Sequence, residues 1–309
     1  MRLHTILSLG CLTILLALTA CRKSTEEKAE TGILSPGPIA AKRTNLTILL
    51  DLSNRINAKY GKDRQQNRDS AIVKSAATWF KERLKKQGAI KDKDRFTIYF
   101  EPQPQQDPTL DQVARSLQFD LGKPGTKPAN RKLVYNDIDK QTASGVHRLY
   151  EYVRQQSYDG ADIWGFAKEK MAARCIMDTA QYRNVLIVVT DGYLDHVKNK
   201  GMQKGNKAAN INDLTISRDL VEKANFTSGN WAGKYEAGKY GLMVPPGTNL
   251  KGLEVLVLEI NTYGRPPFYA DIVKRYVTDW FRAMGVKHVE AQQTNIPSDT
   301  EQSMLAFLK

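Results

Sequence analysis

The sequence of 309 residues predicts an α/β domain: a mainly parallel, doubly wound sheet flanked by helices as a three-layer sandwich. Three observations predict it. Apolar, β-favouring runs recur at Leu46–Asp51, Asn184–Thr190 and Leu253–Ile260, with the near-continuous hydrophobicity of strands buried on both faces. Segments with apolar residues at helical spacing stand between and after them. No internal repeat is evident, and strands that alternate with helices build βαβ units and hence a parallel sheet.

The elements follow in order. Leu46–Asp51 is the first strand, and Asn57–Arg68 reads as a polar loop. Ile72, Ala76, Trp79, Phe80 and Leu84 then share one helix face, with Asp69 or Ser70 as the cap and Gly88 as the stop. Arg95–Phe100 is a second strand, halted by Pro102 and Pro104, and Leu117–Leu121 reads as a short edge strand. Helices are expected over Ala143–Gln156 and about Ala161–Ala180, before the strongest strand, Asn184–Thr190. The basic, glycine-rich stretch from about 199 to 252 reads as an insertion with at most one helix, near Ser217–Ala224. After the strand Leu253–Ile260 come a helix (Pro267–Met284), a last strand (Lys287–Ala291) and a closing helix (Ser298–Leu308, capped by Ser298).

Ahead of this domain, residues 1–20 have the layout of a secretory signal. Arg2 gives a positive start, Ile6–Leu18 is an apolar run, and Leu18-Thr19-Ala20-Cys21 closes it. The run falls short of the roughly 20 residues that span a bilayer. The junction resembles a bacterial lipobox, which implies a diacylglyceryl group on Cys21. More than one acyl chain is needed for stable anchoring, and a triacylated cysteine supplies them. Residues 21–43 are polar and then rich in breakers (Gly32, Pro36, Gly37, Pro38), as in a flexible tether. The expected location is therefore a bacterial membrane, lipid-anchored, on the periplasmic or cell-surface side, with the outer membrane favoured.

The formal net charge of +13 falls by one when Arg2 leaves with the signal. An exported basic protein can meet acidic polysaccharide, lipid headgroups or an acidic partner rather than nucleic acid, but the bases are scattered (Lys81, Arg83, Lys85, Lys86; Lys198, Lys200, Lys204, Lys207) and read as solvated helix faces and loops. Cys11 leaves with the signal and Cys21 takes lipid, so Cys175 has no partner and reads as a buried, inert thiol. His147, His196 and His288 are isolated and read as surface or satisfied polar residues, His196 being nearest the proposed site. Trp231, Tyr235 and Tyr240, within the insertion, either pin their own loop or form a recognition surface.

Ligands of such a sheet bind beyond the carboxyl ends of its strands. Two strands finish there on acids: Asp51 opens Asp51-Leu52-Ser53-Asn54-Arg55, and Asp191 lies in Thr190-Asp191-Gly192. Between them Gln141-Thr142-Ala143-Ser144-Gly145 reads as a polar loop starting a helix. If the two strands are adjacent, Asp51, Ser53, Thr142 (or Ser144) and Asp191 converge as hard oxygen ligands suited to Mg²⁺.

On these residues the chain resembles the von Willebrand factor type A (vWA) family, whose fold is a Rossmann-like three-layer sandwich. The family's metal-ion-dependent adhesion site is built from Asp-x-Ser-x-Ser after the first strand, a middle-loop threonine and an aspartate in a Thr-Asp-Gly-like turn. The resemblance implies metal ligands at Asp51, Ser53, Thr142 and Asp191, with Mg²⁺ (or Mn²⁺ or Ca²⁺) completed by an acidic group of the partner. Arg55 departs from the pattern where the family has its second serine. A guanidinium carries five donors and no acceptor. Three outcomes stay open: Arg55 turns away and leaves a cation site, it bridges Asp51 or Asp191 in place of the ion, or the two aspartates only cap turns and helices.

The expected function is a membrane-tethered, non-enzymatic binding or adhesion module of the cell envelope, with a protein or glycan partner at the sheet rim. The alternative is a metal-free structural subunit of an envelope assembly. A hydrolase built on Asp51 or Ser53 lacks a positioned general base. No Gly-x-Ser-x-Gly elbow, Walker loop or His-Glu-x-x-His occurs.

Overall fold

The computed structural model describes residues 42–56, 62–88, 93–101, 107–123, 126–154 and 160–309. The expected signal, the lipid site at Cys21 and the expected tether up to residue 41 lie outside them, and Arg43, the last residue of that tether, is already in the first strand. β1 (Arg43–Asp51) runs into a 3-10 turn (Asn54–Ile56) and α1 (Lys62–Gln87). β2 (Arg95–Glu101), α2 (Pro108–Ser116), β3 (Gln118–Asp120) and α3 (Pro128–Arg154) follow. A helical rod is assembled from α4 (Ile163–Phe166), a π-helical stretch (Ala167–Met171) and α5 (Ala172–Cys175). β4 (Tyr182–Val189) leads to the former insertion, which holds β5 (Gln203–Lys204), β6 (Lys207–Ala208), a π-helical stretch (Thr215–Lys223), α6 (Trp231–Ala237) and β7 (Gly241–Leu242). The chain closes with β8 (Leu253–Ile260), α7 (Pro267–Ala283), β9 (His288–Gln293) and α8 (Pro297–Leu308). No helix among the described residues is long and apolar enough to cross a membrane.

The main sheet has the order β3-β2-β1-β4-β8-β9, parallel except for the antiparallel pair β2–β3. This is the doubly wound order, in which the direction of winding reverses between β1 and β4. Alternation along the central strands divides the core. Leu49, Leu186, Val188, Val255 and Val257 face one layer with Trp164, Ile272 and Trp280. Leu46, Ile48, Leu50, Ile187, Val189 and Leu256 face the other with Phe80, Leu149 and Met304. Period-two burial of apolar side chains on both faces is what sandwiches such a sheet between two helical layers.

Several boundaries differ from expectation. α1 begins at Lys62, so most of the expected loop Asn57–Arg68 is helix, and Asp69 lies inside it rather than capping it. α2 was not expected; Asp107 caps it, with Oδ1 accepting from the Thr109 and Leu110 amides. α3 starts at Pro128, so Gln141–Gly145 is mid-helix rather than a loop; its first half is largely exposed and carries too weak an apolar stripe to read. α8 starts at Pro297 with no side-chain cap from Ser298. The stretch from 199 to 252 is no appendage. It forms a three-stranded sheet, β5-β6-β7, and buries Ile211, Ile216, Leu220, Phe226 and Leu250 in the main core. Tyr235 is 3% exposed against Tyr276, and Trp231 and Tyr240 pack on the same core, so these aromatics pin their segment. The indole N–H groups of Trp164 and Trp280 both donate to the Met243 carbonyl, at 2.8 and 3.0 Å.

Candidate functional site at the sheet switch point

Because β1 and β4 are neighbours in register, with Leu50 opposite Val189, their carboxyl ends open side by side at the switch point. Asp51 closes β1 fully buried, and Asp191 sits two residues past β4 at 7% exposure. The Asp51 carboxylate is fixed from both sides. Its Oδ1 accepts the Ser53 N–H at 2.9 Å, and its Oδ2 accepts the Thr190 hydroxyl at 2.6 Å. Asp191 is equally engaged: Oδ1 accepts the Tyr193 N–H at 3.0 Å, and Oδ2 accepts the Tyr263 hydroxyl at 2.8 Å. Gly192 makes the turn at φ +90°, and an added Cβ there would lie 2.5 Å from Cγ1 of Val273.

Arg55 fills the space behind these carboxylates. Its side chain is 1% exposed, and its Nε donates to the Asp51 carbonyl at 2.8 Å while lying 3.8 Å from Asp51 Oδ2. Its terminal nitrogen donates to Asp69 Oδ2 at 2.6 Å and to the Val189 carbonyl at 3.2 Å. Tyr150 donates its hydroxyl to the same Asp69 oxygen, and Gln65 donates to the other at 2.8 Å. Burial works against the guanidinium charge, but Asp69 and Asp51 outweigh it and hold Arg55 more firmly protonated than usual.

Three carboxylates thus meet one guanidinium in a buried setting. Asp191 carries the consequence: burial first, and then the Asp51 charge, push it up to about 7 against the pull of Arg55. Asp69 is also raised, by burial, with Arg55, Tyr150 and Gln65 opposing. On the neighbouring strand Arg68 clasps buried Glu259 through two bonds of 2.6 and 2.8 Å and also reaches the Asn295 carbonyl, tying α1 to β8.

In front of Asp191 opens a cleft of about 520 Å³, lined by Ser53, Asp191, Tyr193, Asp195, Asp213, Tyr263 and Arg265 among others. Tyr193 and Tyr263 stack at 6.5 Å, and Tyr263 stays 43% exposed. Tyr263 holds the left-handed φ of +49°, with its amide bound by Asn261 Oδ1; such strain in a non-glycine residue concentrates at functional positions. Asp195 accepts from the Asn210 and Asn212 amides, and Asp213 pairs with Arg265.

The rim therefore gathers Asp51, Ser53, Arg55 and Asp191, while Thr142 and Ser144 stand elsewhere. Thr142 lies in the middle of α3 and lines a separate cleft between α1 and α3 with Ser70 and Val146; Ser144 is exposed on α3. The loop expected to present the threonine is helix, which removes that ligand. The donors that remain at the rim are Asp51, Ser53 and Asp191. Both oxygens of each aspartate already receive hydrogen bonds, and a guanidinium stands within 4 Å of Asp51. Among the described residues no cluster of three His, Cys, Asp or Glu side chains is arranged to hold a metal.

Asp69, Tyr150 and Tyr263 were not read from the sequence as part of this site. For Asp69 a signal existed: it falls one turn before Ile72 and Val73 on the apolar face of α1, where a carboxylate requires a buried partner. His147 is exposed on α3, His196 lies 3.9 Å from Asp162 near the cleft, and His288 stacks on Phe307.

No family model matches the chain, and no curated protein matches it. Two solved structures of the pilus adhesin SpaC from Lactobacillus rhamnosus GG are similar to it, one of them in an open conformation. They share 12% and 10% identity with TM-scores of 0.38 and 0.35, each covering 86% of this chain. The chain spans 30% of the length of either adhesin structure.

Proposed function

We propose that this chain is a non-enzymatic, vWA-like recognition module of the bacterial cell envelope, tethered by lipid on Cys21, which binds a protein or glycan at its rim without metal. One observation carries the reading: the Arg55 guanidinium is bonded among Asp51, Asp69 and the end of β4, so a fixed internal cation compensates the carboxylates that the vWA family devotes to an ion. The open Asp191 cleft beside it, with Tyr263 of the Tyr193–Tyr263 pair exposed, supplies a surface for the partner. Stacked tyrosines flanked by carboxylates, amides and a guanidinium suit the ring faces and hydroxyls of a sugar, or an aromatic and polar peptide segment.

Beads bearing the chain, offered purified cell-wall glycan or envelope protein fractions in the presence of EDTA, test the reading. Retention that survives chelator and falls at least tenfold on Tyr263→Ala supports it. Retention abolished by EDTA, or indifferent to both Tyr263→Ala and Ser53→Lys, refutes it.

A further inference from the structure

The central strands share an electrical polarity. β1 runs from Arg43 to Asp51 and β2 from Arg95 to Glu101. β4 has Arg183 at its start and Asp191 just past its end, and β8 runs from Lys251, two residues ahead of it, to Glu259. All four are parallel, so bases collect at the amino-end face and acids at the rim.

The elements that return to the amino-end face add to it. Arg83 donates to the Lys42 carbonyl at 3.0 Å, which brings the last turn of α1, with Lys85 and Lys86, to the start of β1. Arg183 donates to the Phe307 and Leu308 carbonyls, which places the end of α8 and Lys309 there too. Lys123 and Lys127 lie between β3 and α3, and Lys287 precedes β9. These six lysines are exposed. Of the acids on this face, Asp94 pairs with Arg83, Asp120 with Arg95 and Glu254 with Arg183, while Asp178 stands exposed in the turn before β4.

Helix dipoles account for part of this pattern, since a base at a helix carboxyl end is favoured. They do not account for Lys127, which sits just before α3, at the end where a dipole disfavours positive charge, nor for Lys123 and Lys287 outside any helix. β1 also starts on this face, at Arg43, and Cys21 precedes it in the sequence.

We propose that the amino-end face, through Lys85, Lys86, Lys123, Lys127, Lys287 and Lys309, docks on the anionic phospholipid headgroups of the membrane that holds the tether, and so directs the Asp191 cleft away from that membrane. The inference rests on the tethered reading above. Each base near an anionic membrane surface strengthens binding about fivefold, and a tether entering on the same face makes the docking intramolecular.

The test uses the chain from Arg22 to Lys309, without lipid, so that its outcome is independent of acylation at Cys21 and of any rim partner. It is sedimented with vesicles of phosphatidylglycerol and phosphatidylcholine, and with vesicles of phosphatidylcholine alone, at low salt. The expected result is binding to the anionic vesicles alone, weakening with salt and falling at least a hundredfold when Lys85, Lys86, Lys123 and Lys287 are changed to Glu. The same change at Lys198, Lys200, Lys204 and Lys207 alters net charge equally, over residues 198–207, and should cost under tenfold. Urea unfolding of both variants checks that they are folded. Equal loss in the two variants, no preference for anionic vesicles, or capture by anionic polysaccharide beads but not by vesicles overturns the proposal. Labelled palmitate uptake, lost on Cys21→Ser, reads the tether separately.

Discussion

Asp191→Asn isolates the excess of buried carboxylate at the rim. Asn keeps one acceptor oxygen, for the Tyr193 amide, and turns its Nδ2 donor toward the Tyr263 hydroxyl oxygen, but it cannot ionise. In the folded chain Asp191 is pushed up to about 7, by burial and by the Asp51 charge, from an ordinary value of 3.8. The fold therefore favours the protonated acid. The folded chain keeps a proton that the unfolded chain has released, so stability is greatest below about pH 4, declines as pH rises toward 7, and is level above it. Each tenfold change in proton affinity is worth about 1.4 kcal/mol, so the full span corresponds to about 4 kcal/mol. Urea denaturation of wild type and variant at pH 5 and pH 7.5 reads it. The wild type should lose about 2–3 kcal/mol more than the variant between the two conditions, and the variant should be the more stable of the two at pH 7.5. Parallel losses would show that Asp191 is ionised in the fold and that Arg55 compensates all three acids.

Arg55→Met removes the guanidinium bonded to Asp69, both side chains being at most 1% exposed, and should cost about 3–5 kcal/mol in chemical denaturation because a buried acid loses its partner. Gly192→Ala forces a Cβ onto Val273 at φ +90° and should cost about 1–3 kcal/mol, whereas Gly201→Ala, at φ +75° with nothing within 4 Å of its Cβ, should cost less. Burial pushes the Cys175 thiol up to about 12, so iodoacetamide at pH 8 should leave it unmodified in the native chain and alkylate it in urea.

The sheet was legible because its central strands are buried on both faces. Asn184–Thr190 and Leu253–Ile260 read as strands from apolar continuity alone, and a parallel sheet then places Asp51 and Asp191 at one end. The helices α2 and α3 were not legible over their full length, since exposed residues dominate the first half of α3 and leave little periodicity. That misreading put Thr142 in a loop and into the proposed ligand set. The segment 199–252 misled for a different reason: its core residues, such as Ile211, Ile216 and Leu250, are spread among glycines and lysines, so their burial emerges only against α7 and the rod from Ile163 to Cys175. Arg55 was visible as a departure from the vWA pattern, but its resting place was not. Its partner Asp69 belongs to another element, and a cap and a buried counter-ion look alike in one dimension.

A metal-free rim requires that the Arg55 guanidinium, bonded to Asp69 and to the Asp51 and Val189 carbonyls, compensate the carboxylates in place of a cation. Calorimetric titration of Mn²⁺ into the chain from Arg22 to Lys309, beside its Arg55→Ser and Asp191→Ala variants, measures this most directly. No saturable uptake by the wild type, with one site per chain gained on Arg55→Ser, is the predicted result. Saturable uptake by the wild type, lost on Asp191→Ala, would contradict it.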